Sequence, residues 1–147
     1  MTESIENQRF FSGHIYVQNS DVHGRGVFAN KLFSKDEIIE IFPLSPLAFR
    51  TRYQGDYGIL TYGFINDKCP CEECKRHGNV IYLGMGYSSI YNHQDSPNAQ
   101  LSIDFSKLTG SVTALKNIEK DSEIFIKYTD DHPFFNGKVM LHGQNNE

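Results

Sequence analysis

Short runs that mix apolar and β-branched residues succeed one another along the chain: HIYV (14–17), RGVFA (25–29), EIIEIF (37–42), NVIYL (79–83), NAQLSID (98–104), SVTAL (111–115) and EIFIKY (123–128). In a strand, successive side chains point to opposite faces, so runs of this length and type predict β-strands with one buried face. Gly, Asn, Asp and Pro fill the intervals, and turns recurring at roughly ten-residue spacing mark a mostly β domain. No segment shows the periodicity of a long amphipathic helix, although 45–54 and 86–92 have room for a turn or two. The pattern predicts a β-rich α+β fold.

No low-complexity linker interrupts the pattern. One domain over 1–147 is expected, with its core at about 14–135, a cysteine-bearing insert at 66–79 and a polar, fraying tail at 138–147. An internal echo runs through it. ANKLFSKDEII (29–39) and ALKNIEKDSEI (114–124) share Ala, Lys, Lys, Asp and Ile at matching offsets. Two similar turns account for this, and so does one repeated architectural element.

Composition narrows the function classes. Hydrophobic residues make up 39% and charged residues 22% of the chain, the balance of a folded globular protein. Eleven Phe and eight Tyr, with no Trp, supply a core or an aromatic-lined pocket. A net charge of −4 argues against direct nucleic-acid binding, because phosphate contact favours a basic face. No apolar run approaches the length of a membrane span, YGILTYGFI (57–65) being too short, and MTESIENQRFF lacks the order of a signal peptide, so no membrane association is expected. The three cysteines all lie between 69 and 74, so no disulfide can join distant parts of the chain, and an intracellular setting is expected.

The segment YNHQDSPNA (91–99) fills neither helix nor central strand well, since Asn, His and Pro are poor at both. Taken alone, Asn92-His93 reads as an ordinary polar loop. Its neighbours in order change that: Gly-Arg-Gly in HGRGVFA (23–29) comes before it, and ALKNIEKDSEIFIKY (114–128), ending in Tyr128, comes after. Together the three segments resemble the SET domain, the fold of most protein-lysine methyltransferases, whose hallmarks are GxG, N-H-S-x-x-P-N and G-E-E-L-x-x-x-Y. The resemblance spans roughly 14–135 and is greatest to the minimal viral and bacterial SET proteins. Gln94 stands where the family has Ser, and Asp121-Ser122 where Gly-Glu is usual.

The resemblance implies small curved sheets around a pseudoknot, and a site for S-adenosylmethionine where the chain threads through itself. Gly24, Arg25 and Gly26 would bring backbone close to the cofactor, with Asn92 and His93 binding it by side chain and backbone; Phe134 or Phe135 would pack on the adenine, or else serve as ordinary core residues. Pro97 and Asn98 would turn the chain into the next strand. Tyr128, which otherwise reads as a residue closing an edge strand, becomes the principal catalytic side chain. Tyr62 becomes a second tyrosine lining the lysine channel. Ile126 stands where several SET enzymes carry Phe or Tyr, so room for more than one methyl is expected. The implied substrate is lysine in a protein or peptide, a histone tail first, which would place the protein in a nucleus (its own or a host's). Homodimerisation is open, and His14, His23 and His132 have no assigned partner.

The run CPCEECKRH (69–77) offers Cys69, Cys71, Cys74 and His77 as soft ligands for one structural zinc, or a cysteine pair for a disulfide. Many SET enzymes bind zinc through cysteines after the catalytic Tyr together with one in the Asn-His motif; here Asp95 occupies that motif position and no Cys follows Tyr128. Two other readings compete with the enzyme: a silent SET module that binds a peptide, and a small zinc-clasped interaction domain. The second leaves the spacing from 92 to 128 unexplained.

Overall fold

All seven expected strands form in the computed structural model, which describes residues 9–55 and 63–128. In chain order the elements are β1 (Ile15–Asn19), β2 (Arg25–Ala29), β3 (Ile38–Phe49), β4 (Gly63–Ile65), α1 (Glu72–His77), β5 (Val80–Gly84), β6 (Asn92–His93), β7 (Ala99–Asp104), β8 (Thr109–Ala114) and β9 (Glu123–Ile126). The protein is mostly β, as the residue pattern predicts. The described residues fall into two compact units, 9–43 with 85–128 and 44–55 with 63–84.

In the first unit, one sheet has the order β1-β2-β9-β6. β2 is buried along Gly26–Ala29 because it lies between two strands and is covered on both faces; Val27 and Ala29 are fully inaccessible. It pairs antiparallel with β1 and with β9, while β6 joins β9 in parallel, Asn92 beside Phe125 and His93 beside Ile126. That parallel pairing brings the 92–98 segment against the last strand, the crossing that the expected pseudoknot requires. Residues 38–43 of β3 pair with β8, and β8 pairs with β7 in an unbroken antiparallel register from Ala99↔Ala114 to Asp104↔Thr109. Ile39, Phe42, Val112, Ala114 and Ile124 fill the core of this unit, and full burial of a side chain such as Ile or Val contributes about 1.5–3 kcal/mol.

The internal echo proves to be architecture. Phe33 and Ile118, at the same offset in the two segments, exchange backbone hydrogen bonds of 2.9 and 2.8 Å and are both buried. The remaining bonds are crossed in matching fashion. Asp121 N–H donates to Ala29 and Asp36 N–H to Ala114, while Ala29 N–H donates to Ser122 and Ala114 N–H to Glu37. Both aspartates turn the chain in the left-handed region, with φ of 72° at Asp36 and 70° at Asp121. This conformation costs an L-residue about 1–2 kcal/mol and is tolerated best by Gly, Asn and Asp. Asp36→Ala is therefore expected to lower stability by about 1 kcal/mol, and Asp36→Gly to stay within about 0.5 kcal/mol of the native protein, as read by urea unfolding.

In the second unit, residues 44–49 of β3 pair with β5, and β4 pairs with the other edge of β5. β3 passes through Pro43 and Pro46, where the sequence leaves room for a helical turn. A register irregularity between Pro46 and Ala48 accommodates the missing donor, and the helical turn that does form is a 3-10 turn at Arg50–Arg52. α1, which the residue pattern does not predict, is capped by Cys71. The Cys71 side chain caps the Cys74 N–H; Glu72 and Glu73 stand in the first turn and Lys75, Arg76 and His77 in the last, the order that complements a helix dipole.

Candidate functional site

Asn92 is the junction of the site in the first unit. It is 5% exposed, and the two protons of its amide Nδ2 are shared among three acceptors: the carbonyl of His23 at 3.0 Å, the carbonyl of Arg25 at 3.2 Å and Glu123 Oε2 at 2.8 Å. The turn before β2, the 92–93 strand and the start of β9 are thus tied to one side chain. The hydroxyl of Ser20 donates to Glu123 Oε1 at 2.7 Å, so both carboxylate oxygens are occupied. Gly26 has a different reason from the expected one. A Cβ there would overlap the Glu123 carboxylate and approach Asn92, so the missing side chain makes room for the protein's own polar cluster. Gly24 fits the expectation better: its φ is +50°, and an added Cβ would meet nothing within 4 Å. That side of the turn is open space.

Asn98 secures the other end of the segment. Its amide donates to the carbonyl of Glu123 at 2.9 Å and its oxygen accepts from Phe125 N–H at 2.7 Å, so one side chain replaces a missing strand partner along β9. Pro97 precedes it and supplies no donor of its own.

His93 and Tyr128 meet here. The backbone N–H of Tyr128 donates to His93 Nδ1 at 3.0 Å, which leaves the ring proton on Nε2 to donate to Asp95 Oδ1 at 2.8 Å. The two rings lie 5.3 Å apart, tilted by 50°. Tyr128 is not an unattached residue at a strand edge: its phenol donates to the carbonyl of Tyr91 at 2.7 Å. A phenol oxygen that donates its proton can also accept a hydrogen bond.

Behind Tyr91 lies a group that the sequence reading missed. Glu40 is fully buried; its Oε1 accepts from the Tyr91 hydroxyl at 2.7 Å and its Oε2 from Tyr87 N–H at 2.9 Å. Burial pushes its carboxyl above the usual range, against the opposing pull of the bonds from Tyr87 and Tyr91. Burial and the Glu40 charge raise the Tyr91 phenol, which therefore stays protonated and a donor. A charged residue inside the apolar run EIIEIF was the available signal, but the register shift between Ile38 and Glu40 hides which face it takes.

Of the sequence-predicted residues, Gly24, Arg25, Gly26, Asn92, His93 and Tyr128 come together in this cluster, Arg25 through its carbonyl while its side chain is exposed. His14 and His23 also act through their carbonyls, accepting from Asn30 and Asn92. Tyr62, Phe134, Phe135 and His132 lie outside the described residues.

In the second unit, the thiols of Cys69, Cys71 and Cys74 all lie within 4.8 Å of one another. Burial pushes the Cys74 thiol up to about 11, whereas the bond from Cys74 N–H lowers Cys71. His77, expected as a fourth ligand, does not join them. Its Nε2 lies 2.8 Å from Arg52 Nη2, its ring packs against Phe49, and Thr51 caps its carbonyl. The six-residue helix carries His77 away from the thiols, to the 3-10 turn at 50–52.

Comparison with known proteins agrees with this arrangement. The SET domain family model matches residues 24–129. The crystal structure of a Plasmodium falciparum protein provisionally assigned as a histone methyltransferase superimposes with a TM-score of 0.63 at 32% identity, over 79% of this chain and 93% of that one. The Neurospora SET domain protein DIM-5, a histone lysine methyltransferase, gives 0.55 at 17% identity over 78% of this chain and 52% of its own. The structure of ctPRC2 bound to S-adenosylmethionine gives 0.60 at 19% identity over 88% of this chain and 17% of its own. At these lower identities the last two likenesses concern the fold. A search of curated protein sequences returned no match. With the turn at 24–26, the Asn92–His93 strand and Tyr128 joined in one hydrogen-bonded cluster, and the family model covering most of its length, this chain belongs to the SET domain family.

Proposed function

We propose that the protein is an S-adenosylmethionine-dependent protein-lysine N-methyltransferase acting on a basic peptide, a histone tail first. The observation that carries this reading is the Asn92 amide joining the Gly24 turn to β9, with Tyr128 held beside it through His93 and Tyr91. S-adenosylmethionine, when bound, supplies an electrophilic methyl group on a sulfonium. The open side of Gly24 and the backbone of Asn92–His93 would hold it. Tyr62 would line the lysine channel and Phe134 the adenine side.

The residues account for the rest of the chemistry. A free lysine amine has a pKa of about 10.4 and is mostly protonated at neutral pH, so an aromatic channel that disfavours the ammonium supplies the nucleophile. The Tyr128 oxygen, whose hydroxyl donates a hydrogen bond to the Tyr91 carbonyl, would accept a hydrogen bond from the neutral amine and fix the direction of the amine lone pair. Carbonyl oxygens on this lining, Tyr91 among them, can hold methyl hydrogens by weak contacts. Alignment of the reacting atoms supplies most of the rate, and no metal or covalent intermediate is called upon.

The Plasmodium relative, covered over nearly its whole length, supports a histone as substrate. A net charge of −4 suits a basic peptide, and a histone substrate would place the protein in a nucleus. The test is methyl transfer from labelled S-adenosylmethionine to core histones and peptide arrays, with mass spectra of the product. Ile126 is aliphatic and smaller than Phe or Tyr, so space for a second methyl, and hence dimethyl-lysine, is expected. Labelling confined to monomethyl-lysine would refute the Ile126 assignment, and absence of both labelling and donor binding would favour a silent peptide-binding module.

The thiols of Cys69, Cys71 and Cys74 suit a zinc ion that staples the insert, with His77 outside its ligand set. Reduced protein is expected to retain about one zinc per chain, Cys74→Ser to lose it, and His77→Ala to keep it, as measured by metal analysis of desalted protein. Among the described residues no helix is long and apolar enough to cross a membrane.

A further inference from the structure

Among the described residues, Glu40 is the one buried carboxylate, and the fold alone does not explain it. It occupies an inward position among Ile39 and Phe42 and is wholly inaccessible. Among the described residues no Lys or Arg forms an ion pair with it. An unpaired carboxyl is a costly core residue unless hydrogen bonds compensate. The structure provides two donors and makes space for them. Gly86 adopts φ +65°, and a Cβ there would overlap Glu40 Oε2, so the turn at 85–87 is shaped around the carboxylate and presents it with Tyr87 N–H. The other oxygen holds the hydroxyl of Tyr91.

The consequence lies at the far end of Tyr91. Its ring, 1% exposed, is anchored at the hydroxyl by Glu40, while its backbone carbonyl receives the Tyr128 phenol at 2.7 Å. Two hydrogen bonds and one rigid aromatic residue therefore connect the buried carboxylate to the phenol.

We infer that Glu40 is a positioning residue for Tyr128, fixing through Tyr91 the carbonyl that orients the phenol. It touches neither substrate nor cofactor. The inference rests on the proposed methyl transfer for its kinetic consequence, but the linkage itself has a readout that does not need turnover. Misplacing a reacting group by about 1 Å costs on the order of a hundredfold in rate, so a partial loosening is expected to cost about tenfold.

The experiment compares Glu40→Gln, Tyr91→Phe and the double variant in the full chain. Each single change is expected to lower kcat about tenfold with KM for peptide and methyl donor within about twofold, and the double change to cost no more than either alone, because both weaken the same link. Gln keeps one acceptor oxygen for two donors, and Phe removes the hydroxyl. In protein labelled with carbon-13 at tyrosine, the Tyr128 ring resonance should move in both single variants while the thermal transition stays cooperative. Unchanged kcat in a folded single variant, additive losses in the double variant, or an unmoved Tyr128 resonance would overturn the inference. Should Glu40→Gln fail to fold, Tyr91→Phe decides alone, since it leaves Glu40 its bond from Tyr87. If the native protein transfers no methyl groups, the proposed function fails, and the Tyr128 resonance then decides the linkage by itself.

Discussion

Tyr128→Phe is expected to fold, to bind S-adenosylmethionine and to transfer methyl groups at least about a hundredfold more slowly than the native protein. The phenol donates a neutral hydrogen bond to the Tyr91 carbonyl. Its loss should lower stability by only about 1 kcal/mol. The ring remains beside His93, and the backbone N–H of residue 128 still donates to His93 Nδ1. What disappears is the oxygen that the proposed mechanism uses to align the amine. Kinetic loss without structural loss is therefore the signature, read as single-turnover transfer set against calorimetric donor binding and thermal unfolding. Unchanged transfer by the variant would remove Tyr128 from the mechanism. Loss of donor binding together with transfer would instead make it a binding residue.

Much of this was legible in the sequence, and the gaps have physical causes. Strands such as β2 and β8 announce themselves because their apolar positions recur locally and turn residues bound them. The matching Lys-Asp turns were visible as an echo, but only the reciprocal Phe33–Ile118 pairing, made across 85 positions, distinguishes architecture from coincidence. Two residues of β6 cannot register in any periodicity. They form a strand because β9, far along the chain, accepts them in parallel. α1 escaped for a similar reason. It is six residues of mostly charged chain, organised by the Cys71 cap and by its contact with the 3-10 turn, not by an apolar stripe.

The site divides along the same line. Asn92, His93, Gly24 and Tyr128 were accessible because a motif carries them in order. Glu40, Glu123, Ser20 and Asp95 were not, because each acquires its role from a partner that the sequence does not identify. Asp95 illustrates this: nothing in its neighbourhood predicts that it accepts from His93 Nε2, thereby leaving Nδ1 free for the Tyr128 backbone. Gly26 was found for an incomplete reason. Sequence shows that a side chain is missing, and only packing shows that Glu123 fills the space.

The largest stability effect should come from Asn92. Removing its side chain strands two backbone carbonyls and one carboxylate oxygen in a cluster that is only 5% exposed at this residue. Unsatisfied buried groups cost about 1–3 kcal/mol each when water cannot reach them, and more when charged. Partial hydration of the turn reduces the sum, so Asn92→Ala is expected to lose about 3 kcal/mol, a large fraction of an ordinary domain's stability. Asn92→Asp should be worse than Ala, because a carboxylate would face three acceptors and offer none of them a proton. The diagnostic is a double-mutant cycle with Glu123→Ala. Once the carboxylate is gone, Asn92→Ala leaves only carbonyls unpaired, so the pair should cost at least about 1 kcal/mol less than the sum of the single changes. Additive losses in urea unfolding would mean that Asn92 and Glu123 act independently. The turn at 24–26 would then be held in place by something other than the amide that now joins it to β9.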